Sequence, residues 1–581
     1  MSAQENSVRA PALHSLLVAG LLGALGCTAT IDGASKLNPS EPAAATGSAN
    51  TAGGGASVAG SSGGGTAGMA AAVAPFSPSE PALPRLTTAQ YRNVIRDLFG
   101  PSVQIPELEP DQRPYSFSII GASTTTVSEH GVDLYSQAAF GIAKAVFGDT
   151  ALRQSVVGCA PQTPLDDTCL AQFIRDFGLR AWRRPVSDSE LSRYQALAGN
   201  VGRTDPWQAL QFVTAAVLQS PSFLYRVELG EADASAKSPS WLRYTGYEMA
   251  SRLSFLLRNS FPDAELLAAA AHGDLASRDG VVAQATRLLN ATGPTEIMLR
   301  ALYSEYLDLP LLDKVKFPDV MDPNHTLGAS MQSEVLEIVS RIGLREAGDM
   351  RTLFNTRSVA ANQDLASLYG LPATTSTTLA PAELSADGPR AGILTTGALL
   401  TLNNRPNRTS PTIRGLFIRQ RLLCGSVPPP PPGIPPIMED DTGPPKTIRE
   451  KLELHRTNPV CAACHNSMDP LGLGMEDFDQ YGRFRTTYDT GQSVDAGGDV
   501  DGVAFSGAKQ LGQLLSQDPR VTACLVKQLY RYGSARLETD GEQATLQDLD
   551  SAFGAQGYQL RPLLLTLVGS DGFRFTVKGA S

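Results

Sequence analysis

Leu86–Gly100, LTTAQYRNVIRDLFG, decides the fold class of this chain. Tyr91, Val94, Ile95, Leu98 and Phe99 recur at spacings of three and four, which places them on one face of a helix. Thr87 or Thr88 stands where a side-chain oxygen caps a first turn, and Gly100 where a helix ends. The same spacing returns in Leu170–Trp182, which stops before Arg183-Arg184-Pro185, and in Ala209–Gln219, which stops before Pro221. It returns again in Tyr247–Leu257, Val281–Leu289, Met331–Leu344, Ile413–Leu423, Thr447–His455, Leu511–Leu515, Ala523–Tyr532 and Leu560–Val568. Alternating strand patterns are few and short, so the expected class is mainly α. Phe173, Phe177 and Trp182 sit at helical spacing and read as core.

A chain of 581 residues exceeds what one hydrophobic core usually serves, so a multidomain helical protein is expected. The divisions read from composition and punctuation are 1–27, a lipoprotein signal peptide; 28–80, a disordered tether; 81–150, a helical domain; and 151–205, a small helical domain with a disulfide loop. They continue with 206–385, a central helical domain; 386–505, a haem-motif domain with a proline-rich connector at Pro428–Pro432, Pro435 and Pro436; and 506–581, a C-terminal helical domain. The net charge of −10, with no Lys/Arg cluster interleaved with aromatics, gives no footprint for nucleic acid.

Leu16–Leu25, LLVAGLLGAL, is an apolar run too short to anchor in a bilayer and is followed by small residues up to Gly26-Cys27. That is the pattern of a signal peptide. Cys27 after Ala24-Leu25-Gly26 resembles a bacterial lipobox, which would make it the lipid-bearing N-terminus after cleavage; ordinary cleavage, leaving a free exported protein, is the alternative. The expected location is the periplasm or cell surface, with membrane attachment through lipid only. Residues 28–80 are almost all Ala, Gly, Ser and Thr and bury too little apolar surface to order themselves. As a Gly-rich coil of about 50 residues they span about 40 Å root-mean-square.

Export governs how the seven cysteines are read, because thiols outside the cytoplasm are oxidised, lipidated or occupied. Cys27 goes to lipid and Cys461 with Cys464 to the motif below. Cys159 and Cys169 bracket CAPQTPLDDTC, a short Pro/Asp connection suited to a local disulfide, and Cys424 with Cys524 follows by elimination.

Cys461-Ala462-Ala463-Cys464-His465 carries the chemistry. Two thiols at i and i+3 lie on one helix face and can add to the two vinyl groups of a haem, and the following histidine turns a ring nitrogen to the iron. A redox CxxC, half a zinc site and a plain disulfide compete with this reading; zinc would need further ligands, and only His455 and carboxylates are near. Pro470, in Asp469-Pro470-Leu471-Gly472, offers a backbone carbonyl to the second nitrogen of His465, or simply builds a turn. His455 is the expected second axial ligand, with a cation at the end of its helix as the competing role. Met468 would project on the same side as His465, which disfavours it as that ligand. Glu476, Asp477 and Asp479 read as a solvated turn or as partners of Arg483 or Arg485, and Asp495, Asp499 and Asp501 as a loop, since they lack calcium-ligand spacing. No nucleophile elbow, P-loop, H-E-x-x-H or dinucleotide fingerprint occurs.

In order, RLTTAQYRNVIRDLFG, FGLRAWRRPVSDSEL, SPSFLYRVELG, YEMASRLSFLLRNSFPDAELL, RTSPTIRGLFIRQRLLC, HRTNPVCAACHNSMDPLGLGMEDFDQYGRFR and CLVKQLYRYGSARLE resemble a multidomain family abundant in planctomycetes and myxobacteria. Its consecutive domains of unknown function are numbered fifteen eighty-seven, fifteen ninety-five, fifteen ninety-two, fifteen eighty-eight and fifteen eighty-five. The likeness covers nearly everything after the tether. Arg258 departs from it where members often show Trp, and Met475 where they often show Leu. The resemblance implies a cytochrome-bearing surface or periplasmic component, sometimes linked to polysaccharide use. Three readings stay open: a one-electron carrier with an unidentified redox partner, a peroxidase- or oxygenase-like haem enzyme, and a haem-free binding or structural protein whose CxxC is a disulfide.

Overall fold

Thr87 accepts a hydrogen bond from the Gln90 backbone at 3.2 Å, and the Gln90 side chain accepts from the Thr87 backbone at 3.3 Å, so helix Thr88–Phe99 begins in a closed capping box. Gly100, at φ 91°, ends it. The computed structural model to which this helix belongs describes residues 74–202, 204–234, 236–405, 408–428 and 446–579. The segments read from sequence as signal peptide and tether, up to residue 73 and including Cys27, and the connector prolines from 429 onward lie outside the described residues.

The protein is mainly helical. Asp167–Trp182, Pro206–Gln219, Gly246–Arg258, Arg278–Asn290, Pro519–Ser534 and Leu560–Gly569 all fall where apolar spacing and breakers place helices. Two helices widen at their ends: Leu327–Ser340 passes into the π-turn Arg341–Arg345, and Pro411–Phe417 into the π-turn Ile418–Leu422. No helix among the described residues is long and apolar enough to cross a membrane.

Two apolar clusters fill this body. Leu86, Tyr91, Phe173, Val213 and Phe223 belong to the first, and residues from Phe117 to Phe573 to the second. Helix Gly246–Arg258 serves both, giving Phe255 to the first and Leu253, Leu256 and Leu257 to the second. Antiparallel strands Glu231–Ala232, Trp241–Arg243 and Phe575–Val577 tie the end of the chain to its middle, with Leu242 opposite Thr576. Residues 76–80, placed in the tether by composition, are packed here. Phe76 meets Trp241 edge-on at 5.2 Å, and the Ser77 N–H donates to the Gly541 carbonyl at 2.8 Å. One aromatic anchor gives this stretch apolar contact that its composition did not signal.

Cys159–Cys169 closes the loop between helices Thr150–Val157 and Asp167–Trp182. Cys424–Cys524 joins the end of the π-turn Ile418–Leu422 to helix Pro519–Ser534.

Glu334 makes the fold sensitive to pH. It is fully buried, accepts a hydrogen bond from the Tyr369 hydroxyl through Oε2, and leaves Oε1 without a partner. Burial pushes its carboxyl up to about 8, against the opposing pull of Tyr369 and Arg390. The folded state therefore holds a proton that the unfolded chain releases near the ordinary carboxyl value, and stability contributed by this group falls as pH rises toward 8. We expect urea midpoints of the wild type to drop between about pH 5 and pH 8, on the order of 1 kcal/mol per pH unit, and Glu334→Gln to flatten that slope. An unchanged slope in the variant would assign the pH dependence elsewhere.

Candidate functional site

Asn458 caps the helix that carries the motif, accepting from the Val460 N–H at 3.0 Å, and Pro459 occupies the first turn, where a missing N–H costs nothing. The helix runs Pro459–Leu473 and continues through Pro470. Asp469-Pro470-Leu471-Gly472 is thus neither a loop nor a tight turn. Complete burial of Asp469 and Leu471 holds the segment helical although Pro470 removes one helical hydrogen bond.

Cys461, His465 and Asp469 follow at intervals of four and share one face of this helix. Cys461 is buried, Cys464 half-buried, and both thiols are unpaired. The two oxygens of Asp469 stand 3.0 and 3.1 Å from His465 Nδ1. That nitrogen is therefore held by the Asp469 carboxylate and not by the Pro470 carbonyl. The Gly498 backbone crowds the Pro470 carbonyl instead: a Cβ at Gly498 would lie 2.1 Å from it.

Helix Pro411–Phe417 braces the motif helix at backbone contact. A Cβ at Gly415 would fall 1.8 Å from the Met468 carbonyl oxygen, and one at Gly472 1.7 Å from that of Pro411, so only glycine permits the crossing. This closeness lets Thr412 Oγ1 donate to Asp469 Oδ1 at 2.8 Å. Arg419 then donates to the Ser467 carbonyl at 3.0 and 3.1 Å and pairs with Asp501 at 2.8 Å. Asp501-Gly502, with φ of 52° and 93°, turns a hairpin of strands Gly497–Val500 and Val503–Ser506, so this acidic segment is a paired ribbon where a loop was expected.

Arg414, fully buried, donates to the carbonyls of Phe478 at 3.0 Å and Asp479 at 2.9 Å, and burial pushes its guanidinium down to about 10. Glu476 is equally buried; its Oε2 accepts from Thr409 Oγ1 at 3.0 Å and Arg485 Nη2 at 2.9 Å, while its Oε1 lies 3.7 Å from Arg414. Asp479 pairs with Arg483 at 2.6 Å. Arg483 and Arg485, the partners expected from sequence, are joined by Arg414, and Glu476 and Asp479 are buried, so the turn is not solvated. Burial raises the neighbouring Asp477 carboxyl to about 7.

Helix Ile448–Arg456, begun by a Thr447–Glu450 capping box, brings His455 to the motif. Its ring meets that of His465 edge to face, with centroids 4.6 Å apart, and burial followed by the charge of His465 lowers its basicity. Met468 and Met475 are buried in the core. Among the described residues no group of three or more His, Cys, Asp or Glu side chains is arranged to hold a metal ion by itself.

Five family models of proteins of unknown function match one after another along the chain: DUF1587 over 85–148, DUF1595 over 169–228, DUF1592 over 244–371, DUF1588 over 390–488 and DUF1585 over 501–573. The chain belongs to this multidomain family. The DUF1588 segment holds both crossing helices, the motif and Glu476, while the DUF1585 segment supplies Asp501 and Cys524. Neither the curated proteins nor the solved structures give a significant match.

Sequence reasoning placed His455, Cys461, Cys464 and His465 and missed Thr412, Arg414, Gly415 and Asp469 as members of the site. The four-residue interval between His465 and Asp469 was the available signal; Pro470 masked it by suggesting that the helix had already stopped.

Proposed function

We propose that the protein is an exported, lipid-anchored carrier of one covalent c-type haem, bound through Cys461 and Cys464 with His465 as an axial ligand, which exchanges single electrons with a partner protein. The observation that carries the reading is His465 itself: Nδ1 is engaged by a buried carboxylate, which leaves Nε2 for iron in the arrangement typical of metal-bound histidine. The surroundings fit the group. Four other cysteines are in disulfides while the two motif thiols are unpaired, and Leu454 and Val460 beside them are 59% and 58% exposed, apolar surface that a porphyrin would cover. A bound haem supplies a one-electron iron couple. This chain's residues supply two thioether attachments, a fixed imidazole and a braced helix. The disulfides support an oxidising compartment, and Cys27 supplies the lipid anchor in this proposal.

His455 separates carrier from enzyme. His455 and His465 lie 4.6 Å apart, ring centroid to ring centroid, so the two rings would have to part for both to hold one iron. If His455 also held the iron, the site would be closed, as suits a carrier; if it did not, the iron would stay open to a small ligand, as a peroxidase- or oxygenase-like enzyme requires. Protein from a host with haem-ligation machinery should give low-spin bis-imidazole paramagnetic resonance, and His455→Ala should turn it high-spin and open to carbon monoxide. A high-spin wild type would move the protein to the enzyme class. A wild type without haem absorbance would favour the haem-free surface protein.

A further inference from the structure

Among the described residues Asp469 is the one carboxylate that touches the histidine of the motif, and its setting differs from that of the other buried acids in this segment. Glu476 and Asp479 are each neutralised by arginine. Asp469 is fully buried, yet among the described residues no Lys or Arg pairs with it. Its two hydrogen-bond partners are His465 Nδ1 and the neutral hydroxyl of Thr412, at 2.8 Å on Oδ1. The glycine-only crossing at Gly415 and Gly472 brings Thr412 onto the motif helix.

We infer that Asp469 is a positioning residue that sets the reduction potential of the haem site through His465, and that Thr412 opposes it. The inference rests on the haem reading above. A full negative charge accepting the Nδ1 proton drives electron density into the imidazole and strengthens it as a donor at Nε2. The oxidised iron carries the greater positive charge and gains more from that donor, so the potential falls below what a neutral backbone carbonyl at Nδ1 would give. Thr412 donates to the same carboxylate and withdraws part of its charge, so its hydroxyl raises the potential. The two side chains therefore push in opposite directions, which a general loosening of the site would not do.

The test is potentiometric titration of the full-length holoprotein, followed by absorbance, with covalent haem verified by staining after denaturing electrophoresis. Asp469→Asn keeps an oxygen for Nδ1 and removes the charge; we expect a tenfold or larger shift of the oxidised-to-reduced equilibrium toward the reduced form, about 59 mV upward for one electron. Thr412→Val should shift it less and downward. If Asp469→Asn does not retain haem, Thr412→Val carries the test, and a downward shift there supports the inference. Unmoved potentials, or both variants moving the same way, overturn it while leaving the haem reading intact. A wild type with no covalent haem overturns both.

Discussion

Replacing Cys424 and Cys524 together by serine should cost about 4–5 kcal/mol, the chain-entropy value for a loop of roughly a hundred residues. The bond spans 100 positions, and every residue of the motif helix, His455 and the hairpin lies inside the loop it closes. Cys159–Cys169 spans 10 positions, and its removal should cost about 2–3 kcal/mol on the same scale. Urea unfolding of the two double variants checks the order. Equal losses, or a larger loss at Cys159–Cys169, would mean that the long bond does not restrain the unfolded chain as its span implies.

Truncating Glu476 to Ala should cost about 3–5 kcal/mol, the penalty for breaking a buried charge pair. Arg414 and Glu476 are both fully buried, and removing the carboxylate leaves Arg414 charged in the core with Arg485 nearby. The effect should also reach the site. Arg414 lies on the bracing helix and holds the segment that follows the motif helix by its Phe478 and Asp479 carbonyls, so the Gly415–Gly472 crossing should loosen. Hydrogen exchange across 459–473 should quicken in Glu476→Ala. Unfolding unchanged within about 1 kcal/mol would show that the pair is not an energetic element.

Periodicity read the long helices because each buries one apolar face: Tyr91, Val94, Ile95, Leu98 and Phe99 repeat as the 3.6-residue turn demands, and Gly100 marks the end. It could not read the sheet of Glu231–Ala232, Trp241–Arg243 and Phe575–Val577, whose strands of two and three residues are shorter than any alternation and whose last strand joins from the far end of the chain. The π-turn at Ile418–Leu422 left no trace either, since its apolar spacing merges with the helix before it. Asp501-Gly502 did carry a hairpin signal, but three aspartates drew attention to metal spacing instead. Cys461, Cys464, His465 and His455, which the haem proposal rests on, stand within one short stretch, so their proximity was legible. Asp469 and Thr412 were not, because their contact depends on a helix crossing set by two glycines 57 residues apart. Local pattern holds no record of such a tertiary contact.

The most direct test is peptide mapping of the mature, full-length protein purified under non-reducing conditions from a host that ligates c-type haem. We expect the peptide containing Cys461-Ala462-Ala463-Cys464-His465 to carry the mass of one haem through two thioether bonds, with Cys159–Cys169 and Cys424–Cys524 recovered as disulfides. Recovery of that peptide without haem, its two cysteines joined to each other or both free, would contradict it.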